Sequence, residues 1–401
     1  MLENKNVIVG VTGGIAAYKA VEVVSSLTKL GANVEVIMTE AATEFVRPLT
    51  FQSISHNPVR YKMFSSPENW DVEHISLAKK ADLMLLAPAT ANIIGKIANG
   101  IADDMLSTTV MATTAPVLIA PAMNTKMYEN QIVQDNMNYL REHNYKFLEA
   151  DAGYLACGTV GKGRLVEPQE IVKQAIVQLV SSADLTGKRV LITAGGTQEE
   201  LDPVRYLGNH SSGKMGYNLA RVAQASGANV TLISAPTNLN KPNGVNLIEV
   251  KTAQEMYQQV TTYQAEQDII IMAAAVADYR PKNKRQQKLK KGSQNLIVEL
   301  ERTTDILQQL GINKNEQQLL VGFAAETEDV LSNAQEKLAK KQLDFIIAND
   351  ISKSEVGFAS DNNQVTIISE NQEKEIEKAD KLKIASDIFA YIMETDGKKE
   401  G

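Results

Sequence analysis

The chain has 401 residues, 44% of them hydrophobic and 22% charged, and a formal net charge of −7. This composition is typical of a soluble globular protein of two or three domains, and the lack of a basic excess argues against a nucleic-acid partner. Its single cysteine, Cys157, excludes an intrachain disulfide, and the four histidines lack metal-ligand spacing. Neither a signal peptide nor an apolar run of about 18 residues is recognisable, so we expect no membrane partner and a cytoplasmic location.

The N-terminal half opens with a strand–turn–helix pattern. Residues 7–11 predict a buried strand, Thr12-Gly13-Gly14 predicts a turn, and apolar spacing predicts a helix from about residue 15 to Leu30, ended by Gly31. Strands that alternate with helices indicate a doubly wound parallel sheet, which binds ligands at the carboxyl ends of its strands. The other predicted elements of this half are strands at 83–87 and 117–120 and a helix around 168–181.

The second half repeats this plan. Residues 226–233 (SGANVTLI) resemble residues 30–37 (LGANVEVI), and a strand at 189–193 leads into another glycine turn at Gly195 and Gly196. We therefore predict two α/β domains, at 1–182 and 187–401, each with its own ligand site. The later predicted elements are helices at 217–224 and 328–341, strands at 295–301 and 345–348, a lysine-rich mobile loop at 281–291, and a hairpin at 364–368 and 374–378.

The glycine turn of the first half predicts a phosphate site. Gly13 and Gly14 can direct backbone N–H groups and a helix N-terminus onto a phosphate. The turn is not Gly-x-Gly-x-x-Gly, and Thr39, not an acid, follows the second strand. A hydroxyl there suits a mononucleotide phosphate or a flavin better than an NAD ribose; a plain strand–helix turn is the alternative.

Two strand ends in the first half carry small residues and an amide. Thr90 and Asn92 follow one strand, and Asn124 follows another. Small residues let a flat ring approach, and the amides can donate to a carbonyl or carboxylate. The alternative is ordinary turn chemistry.

One histidine and the cysteine are candidate catalytic residues. His74, with Asp71 and Glu73 nearby, suits an acid, a base or a carboxylate anchor, although a structural role is the alternative. Cys157 lies in a run, 153–164, that contains four glycines. Such a run predicts a flap that delivers a proton donor or redox thiol; an incidental thiol is the alternative.

The second half carries residues suited to a nucleoside triphosphate. Asn209 lies in a segment rich in hydrogen-bond donors before a helix, and Asp278 ends a strand where it could hold Mg²⁺ bound to a triphosphate. Lys288 supplies a cationic lid. Lys337 and Lys341, four residues apart, share one helix face and form a second lysine cluster. For either cluster, a solvated surface is the alternative. Phe323 either stacks on a base or fills the core.

Together these segments resemble the bifunctional coenzyme A biosynthesis family, in which phosphopantothenoylcysteine decarboxylase is fused to phosphopantothenate–cysteine ligase. The resemblance covers nearly the whole chain, and its most specific motifs are 121–124, the Cys157 flap, 209–216 and 275–279. It implies a flavodoxin-like N-terminal sheet that binds FMN and a Rossmann-like C-terminal sheet that uses CTP with Mg²⁺.

For the decarboxylase, the resemblance implies that FMN oxidises the substrate thiol to a thioaldehyde, which eases loss of CO₂. His74 would be the base or carboxylate anchor, and Asn124 would hold the substrate carboxylate with Met127 nearby. Cys157 would protonate the enethiol as the reduced flavin returns its hydride, which regenerates oxidised FMN. The residues expected at the cofactor are Gly13, Gly14, Thr39, Thr90 and Asn92.

For the ligase, the resemblance implies an acyl-cytidylate from which the amine of cysteine displaces CMP. Asn209 would hold this intermediate, Asp278 the metal or nucleotide, and Lys288 would act in the amine step. Gly208 replaces the usual Ser or Thr, and the turn at 302–305 replaces the commoner Asn-Pro-Asp. The residues expected at CTP are Thr304, Asp305, Ile306, Phe323, Lys337 and Lys341.

The family also implies small-molecule substrates (4′-phosphopantothenate, cysteine and CTP) and a homo-oligomer, with a trimer-based decarboxylase and a dimerised ligase. Two other functions are weighed. An NAD(P)-dependent oxidoreductase with duplicated Rossmann domains predicts a Gly-x-Gly-x-x-Gly motif, which is not found. A non-catalytic flavin- or nucleotide-binding regulator would not need the cysteine flap.

Overall fold

The computed structural model describes residues 2–64, 72–154, 158, 160–290, 296–326, 329–350, 360 and 362–397. The chain divides into two compact units, Met1–Leu179 (the first unit) and Val180–Gly401 (the second unit). Among the helices of the described ranges, none is long and apolar enough to cross a bilayer.

A six-stranded parallel sheet forms the centre of the first unit, with helices packed on it. Its strands are β1 (Asn6–Val11), β2 (Asn33–Met38), β3 (Val59–Arg60), β4 (Leu83–Ala89), β5 (Val117–Pro121) and β6 (Lys146–Phe147). The helices are α1 (Ala17–Lys29), α2 (Glu40–Thr43), α3 (Pro48–Ser55), α4 (Glu73–Lys80), α5 (Ala91–Ala98), α6 (Met105–Ala112), α7 (Thr125–Tyr128), α8 (Gln131–Glu142) and α9 (Pro168–Val180). A separate hairpin pairs β7 (Asp151–Tyr154) with β8 (Val160–Arg164).

The strand order of this sheet, β3-β2-β1-β4-β5-β6, confirms the predicted flavodoxin-like class. Without the two-residue edge strand β3, the order is that of flavodoxin, with the reversal between β1 and β4. All seven residues of β4 are buried, as expected for a central parallel strand covered on both faces. Ligands of such sheets bind at the reversal, beyond the carboxyl ends of the strands.

The second unit has an eight-stranded sheet in the order β13-β12-β9-β14-β17-β18-β19-β20. Its strands are β9 (Arg189–Ala194), β12 (Asn229–Ser234), β13 (Asn246–Glu249), β14 (Ile269–Met272), β17 (Leu319–Glu326), β18 (Phe345–Asp350), β19 (Asn362–Ile368) and β20 (Glu373–Asp380). Two small ribbons pair β10 (Glu199–Glu200) with β11 (Tyr206–Leu207) and β15 (Tyr279–Pro281) with β16 (Leu300–Arg302). The helices are α10 (Lys214–Ala225), α11 (Ala253–Gln264), α12 (Ile306–Asn313), α13 (Val330–Lys340) and α14 (Lys381–Gly397).

The first six strands of this sheet are parallel and follow the Rossmann order, with the reversal between β9 and β14. The predicted Rossmann-like class is therefore confirmed. The predicted terminal hairpin is β19–β20, which joins the sheet antiparallel. Edge strand β20 carries charged side chains at most of its exposed positions.

The predicted strand at 295–301 is wrong in extent. Only Leu300–Arg302 is a strand, and residues 296–299 are not in one. Its antiparallel pairing with β15 covers three residue pairs, and one further backbone hydrogen bond, from the Lys282 amide to the Glu299 carbonyl oxygen (3.0 Å), lies beyond them.

Candidate active sites

A cavity of about 1010 Å³ opens at the strand reversal of the first unit. It adjoins the carboxyl ends of β1, β2, β4 and β5 and the turns that follow them. The structure brings together here most of the residues predicted for the first site: Gly13, Gly14, Thr39, Thr90, Asn92, Asn124 and Met127.

Thr12 joins the ends of β1 and β4, two of the strands that border the cavity. Its hydroxyl donates to the Pro88 carbonyl oxygen (2.8 Å) and accepts from the Thr90 amide (3.1 Å). Gly13 packs against helix α2, and a Cβ there would lie 2.5 Å from Ala41 Cβ. The turn therefore needs glycine for close packing.

The hydroxyl of Thr39 has no hydrogen-bond partner among the described residues. Its Oγ1 is buried and makes no hydrogen bond to any residue in the described ranges, although Thr39 is the N-cap of α2. A buried hydroxyl without a partner is costly, and a bound phosphate or hydroxyl group would relieve that cost. Thr39 lines the cavity, so its position fits a polar group of a ligand.

Two clusters of charged side chains at the cavity were not predicted from the sequence, and the first is centred on Lys96. Lys96 donates to Asp103 (2.6 Å) and to Asp104 (2.9 Å), and the hydrogen bond to Asp103 contributes most to raising the pKa of Lys96. Lys96 lies four residues after Asn92 on α5, so helical spacing could have identified it.

The second cluster is centred on Glu167, which forms ion pairs with Lys19 (3.1 Å) and Arg164. Both of these cations line the cavity. The hydrogen bond from Lys19 contributes most to lowering the pKa of Glu167. Arg164 and Glu167 are only three residues apart, but Lys19 is 148 positions from Glu167, and the sequence gave no signal for that contact.

The β7–β8 hairpin is anchored beside Asn124. The Met123 amide donates to the Gly163 carbonyl oxygen (2.9 Å), and a Cβ at Gly163, whose φ is +131°, would lie 2.4 Å from Met123 O. Asn124 begins helix α7, where its Oδ1 accepts from the Lys126 amide (2.8 Å). Cys157 lies outside the described residues.

His74 lies on the first turn of α4 and is half-buried. It is not among the described residues that line the cavity. The structure therefore does not bring His74 together with Asn124 in this cavity, and its catalytic role remains a prediction.

At the strand reversal of the second unit, two loops are bonded to each other. Gly196 pairs with Ala275, and Asn209 Nδ2 donates to the Val276 carbonyl oxygen (3.0 Å). Thr303 fixes Ala277 and Asp278, which follow Val276 on the second of these loops. Its amide donates to Asp278 O (2.9 Å), and its hydroxyl donates to Ala277 O (2.6 Å). Asn209 and Asp278 thus lie on bonded loops, and the Asp278 residue is exposed.

The turn at Thr304, Asp305 and Ile306 meets the second lysine cluster. Asp305 caps α12 by accepting from the Gln308 amide (3.0 Å), and Lys341 Nζ lies 3.2 Å from Asp305 Oδ2. The helix α13 ends at Lys340, one residue before the predicted end, and Lys341 is its C-cap. The Lys341 amide still donates to the Lys337 carbonyl oxygen (3.0 Å), so the two lysines lie one helical turn apart, and their role at CTP stays a prediction. Half-buried Phe323 lies on β17 opposite Ile347.

The lysine-rich loop that follows Pro281 is attached at several points, although a mobile loop was predicted. The Arg285 amide donates to Leu201 O (3.0 Å), and the Leu289 amide donates to Asp202 Oδ2 (3.1 Å). Lys288, beside Leu289, is exposed. No cluster of three or more metal-ligating side chains occurs in the part of the chain that the structure describes.

Comparisons with known proteins agree with this two-part architecture. The Flavoprotein family model matches residues 1–181, and the model of the DNA/pantothenate metabolism flavoprotein C-terminal domain matches residues 185–395. A solved C-terminal domain of a coenzyme A biosynthesis bifunctional protein is 42% identical, with a TM-score of 0.47, and covers 54% of this chain and 100% of that chain.

Two curated relatives match along nearly their whole length. The coenzyme A biosynthesis bifunctional protein of Bacillus subtilis (strain 168) is 50% identical over 396 residues, which are 98% of this chain and 97% of that protein. The corresponding protein of Borreliella burgdorferi is 46% identical over 394 residues, which are 98% of this chain and 100% of that protein. The chain therefore belongs to the family of bifunctional coenzyme A biosynthesis enzymes, with a flavoprotein decarboxylase domain followed by a ligase domain.

Proposed function

We propose that the second unit joins 4′-phosphopantothenate to cysteine with CTP and Mg²⁺, and that the first unit decarboxylates the product to 4′-phosphopantetheine with FMN. The observation that carries the flavin half is the cavity at the strand reversal, lined by the buried Thr39 hydroxyl and by Asn124. In this proposal the decarboxylase domain comprises residues 1–182 and the ligase domain comprises residues 187–401.

The residues of the cavity fit FMN. Gly13 and Gly14 turn the chain at the start of α1, where backbone N–H groups suit a phosphate, and the Thr39 hydroxyl would donate to the same group. Thr90 and Asn92, at the end of β4, would border the ring. When bound, FMN would supply reversible two-electron oxidation of the substrate thiol.

The substrate would be held by its carboxylate, and the decarboxylated product would be protonated by Cys157. The Asn124 side chain, fixed at the start of α7, would orient the carboxylate for loss of CO₂. Cys157, in the segment between β7 and β8, would donate a proton to the decarboxylated product. His74 would act as base or carboxylate anchor.

In the ligase, Asn209 would hold the acyl-cytidylate, and Lys288 would assist attack by the amine of cysteine. Asp278 would bind Mg²⁺ together with phosphate oxygens of the nucleotide, which is how Mg²⁺ is commonly held at phosphate sites. Lys337 and Lys341 would bind the phosphates of CTP. Thr304, Asp305, Ile306 and Phe323 would form the rest of its site.

We also propose a cytoplasmic homo-oligomer, with a trimer-based decarboxylase and a dimerised ligase. In the second unit, exposed apolar side chains cluster in sequence on and near the two ribbons, and they would supply an apolar contact surface. They are Val204, Tyr206, Tyr279, Leu296 and Ile297.

Product analysis tests the whole proposal. The purified protein is incubated with 4′-phosphopantothenate, cysteine, CTP and Mg²⁺, and the products are identified by mass spectrometry. We expect 4′-phosphopantetheine, CMP and CO₂. Accumulation of the carboxylated conjugate alone would contradict the decarboxylase assignment, and a protein that binds FMN without any turnover would contradict both.

Replacing Thr39 by valine should weaken FMN binding and leave the apoprotein as stable as the wild type or more so. Valine removes a buried hydroxyl that makes no hydrogen bond within the described part of the chain. It also removes the proposed hydrogen bond to a charged phosphate, worth about 1.5–3 kcal/mol, or roughly a 10–100-fold change in Kd. Kd is measured by flavin fluorescence quenching and Tm by calorimetry. Thr43→Val, on the same helix but outside the cavity, is the control; unchanged FMN affinity in Thr39→Val would place the phosphate elsewhere.

Replacing Lys341 by glutamine should raise the KM for CTP about tenfold, with little change in kcat. A hydrogen bond from an ammonium to a phosphate contributes about 1.5–3 kcal/mol, and glutamine keeps the length but not the charge. Initial rates of pyrophosphate release measure both constants. Lys340→Gln, at the neighbouring exposed position, should resemble the wild type; an equal effect in both variants would indicate a general charge effect.

A further inference from the structure

Asp202 is a buried carboxylate in the second unit, and the ligase chemistry proposed above does not use it. Asp202 is only 1% exposed. Its Oδ1 accepts from the amides of Val204 (2.8 Å) and Arg205 (2.9 Å), and its Oδ2 accepts from Arg205 Nε (3.0 Å) and Nη2 (2.7 Å). These contacts fix the carboxylate within its own turn.

The same pair holds a second loop. The Leu289 amide donates to Asp202 Oδ2 (3.1 Å), and Arg205 Nη2 donates to the Leu289 carbonyl oxygen (2.7 Å). Both backbone polar groups of Leu289 are therefore bound by one ion pair. Leu289 directly follows Lys288, so this contact fixes the backbone from which the Lys288 side chain extends.

The carboxylate remains ionised near neutral pH. Burial by itself would raise the pKa of Asp202, but hydrogen bonds from the amides of Val204, Leu289 and Arg205 and from the Arg205 side chain outweigh it and hold the pKa well below its usual range. Protonation of this carboxyl, which would remove the charge that binds Arg205, therefore requires a pH well below the usual pKa of an aspartate.

We propose that Asp202, acting through Arg205, is a positioning residue of the ligase that holds the Lys288 loop in place for the amine step. This inference rests on the role proposed above for Lys288. The hydrogen bonds of the Asp202 carboxylate go to residues 204, 205 and 289, and none of these lies in the eight-stranded sheet. Loss of the carboxylate should therefore release the loop without loosening the sheet.

The test is Asp202→Asn in the full-length enzyme, with two half-reactions measured separately. Asparagine keeps the shape but loses the charge that binds Arg205 and the Leu289 amide. Because a misplacement of about 1 Å can cost about 100-fold in rate, we expect cysteine-dependent turnover to fall roughly 10–100-fold. Pyrophosphate release from CTP and 4′-phosphopantothenate without cysteine should stay within about twofold of the wild type.

Backbone hydrogen exchange supplies a readout that does not depend on activity. In Asp202→Asn, the amide of Leu289 should exchange faster, whereas amides of the sheet should be unchanged. Glu299→Gln is the matched control, because it breaks the Lys282–Glu299 ion pair at the base of the same loop without touching Leu289. Arg205→Lys, a milder variant, should show the same pattern if Asp202→Asn folds poorly.

A double variant decides between positioning and independent effects. Asp202→Asn should add little to the defect of Lys288→Gln, since both act on the same step. Additive losses, or equal losses in both half-reactions with unchanged exchange at Leu289, would overturn the proposal. If Lys288→Gln ligates normally while exchange at Leu289 still rises in Asp202→Asn, the role proposed for Lys288 fails and the contact of Asp202 with Leu289 stands as purely structural.

Discussion

Replacing Gly163 by alanine should lower decarboxylation about 100-fold while ligation continues at the wild-type rate. At a φ of +131° a side chain is strained, and the added Cβ would lie 2.4 Å from Met123 O. Backbone cannot move aside as a side-chain tip can, so β8 and the segment that bears Asn124 must separate. A shift of about 1 Å in a group that orients a substrate can cost about 100-fold in rate.

The hairpin itself supplies the control for this variant. Gly153 lies on the paired strand β7, has no positive φ, and its added Cβ would only contact the Arg164 side chain at 3.5 Å. Gly153→Ala should therefore decarboxylate normally. Release of CO₂ from supplied phosphopantothenoylcysteine measures the first activity, and pyrophosphate release measures ligation. Normal decarboxylation by Gly163→Ala would mean that the hairpin need not rest against Asn124.

Replacing Asn209 by aspartate should lower ligation about 100-fold or more and leave decarboxylation intact. Asn209 Nδ2 donates to Val276 O (3.0 Å) and so joins the two loops at the strand reversal. Aspartate cannot donate to that carbonyl, and its charge would repel an acyl-cytidylate. Loss of one preorganised donor from an active site commonly costs about 100–1000-fold in kcat.

Two measurements separate this effect from simple unfolding. Asn246→Asp, an exposed change on strand β13, introduces the same charge away from the site and should ligate normally. The melting temperature of Asn209→Asp should stay near that of the wild type. If Asn209→Asp also lost decarboxylation in a folded protein, the assignment of one activity to each unit would be wrong.

The sequence predicted the fold class and the family correctly because both depend on local patterns. Buried strands at β1 and β9 are short apolar runs, and each leads into a glycine turn that a single stretch of sequence reveals. The positions of Gly13, Thr39 and Asn124 around one cavity followed from the rule that parallel strands end at the same edge. Their roles remain predictions.

The contacts that complete the sites could not be predicted, because they join distant segments. Asp202 meets Leu289 across 87 positions, and Lys19 meets Glu167 across 148. Neither pair belongs to a periodic pattern, so no spacing rule identifies it. Only the folded arrangement of loops shows why a buried aspartate in a turn has five hydrogen-bond donors, one of them from another loop.

The edges of the eight-stranded sheet bear on aggregation. An open edge offers unpaired backbone groups to any extended chain, and proteins protect such edges with short or highly charged strands. Here one edge, β13, has four residues, and the other, β20, reads Glu-Lys-Glu-Ile-Glu-Lys-Ala-Asp. Strand addition to either edge is therefore disfavoured, and a nascent or partly unfolded copy of the chain would find a poor template for intermolecular β-structure at this sheet.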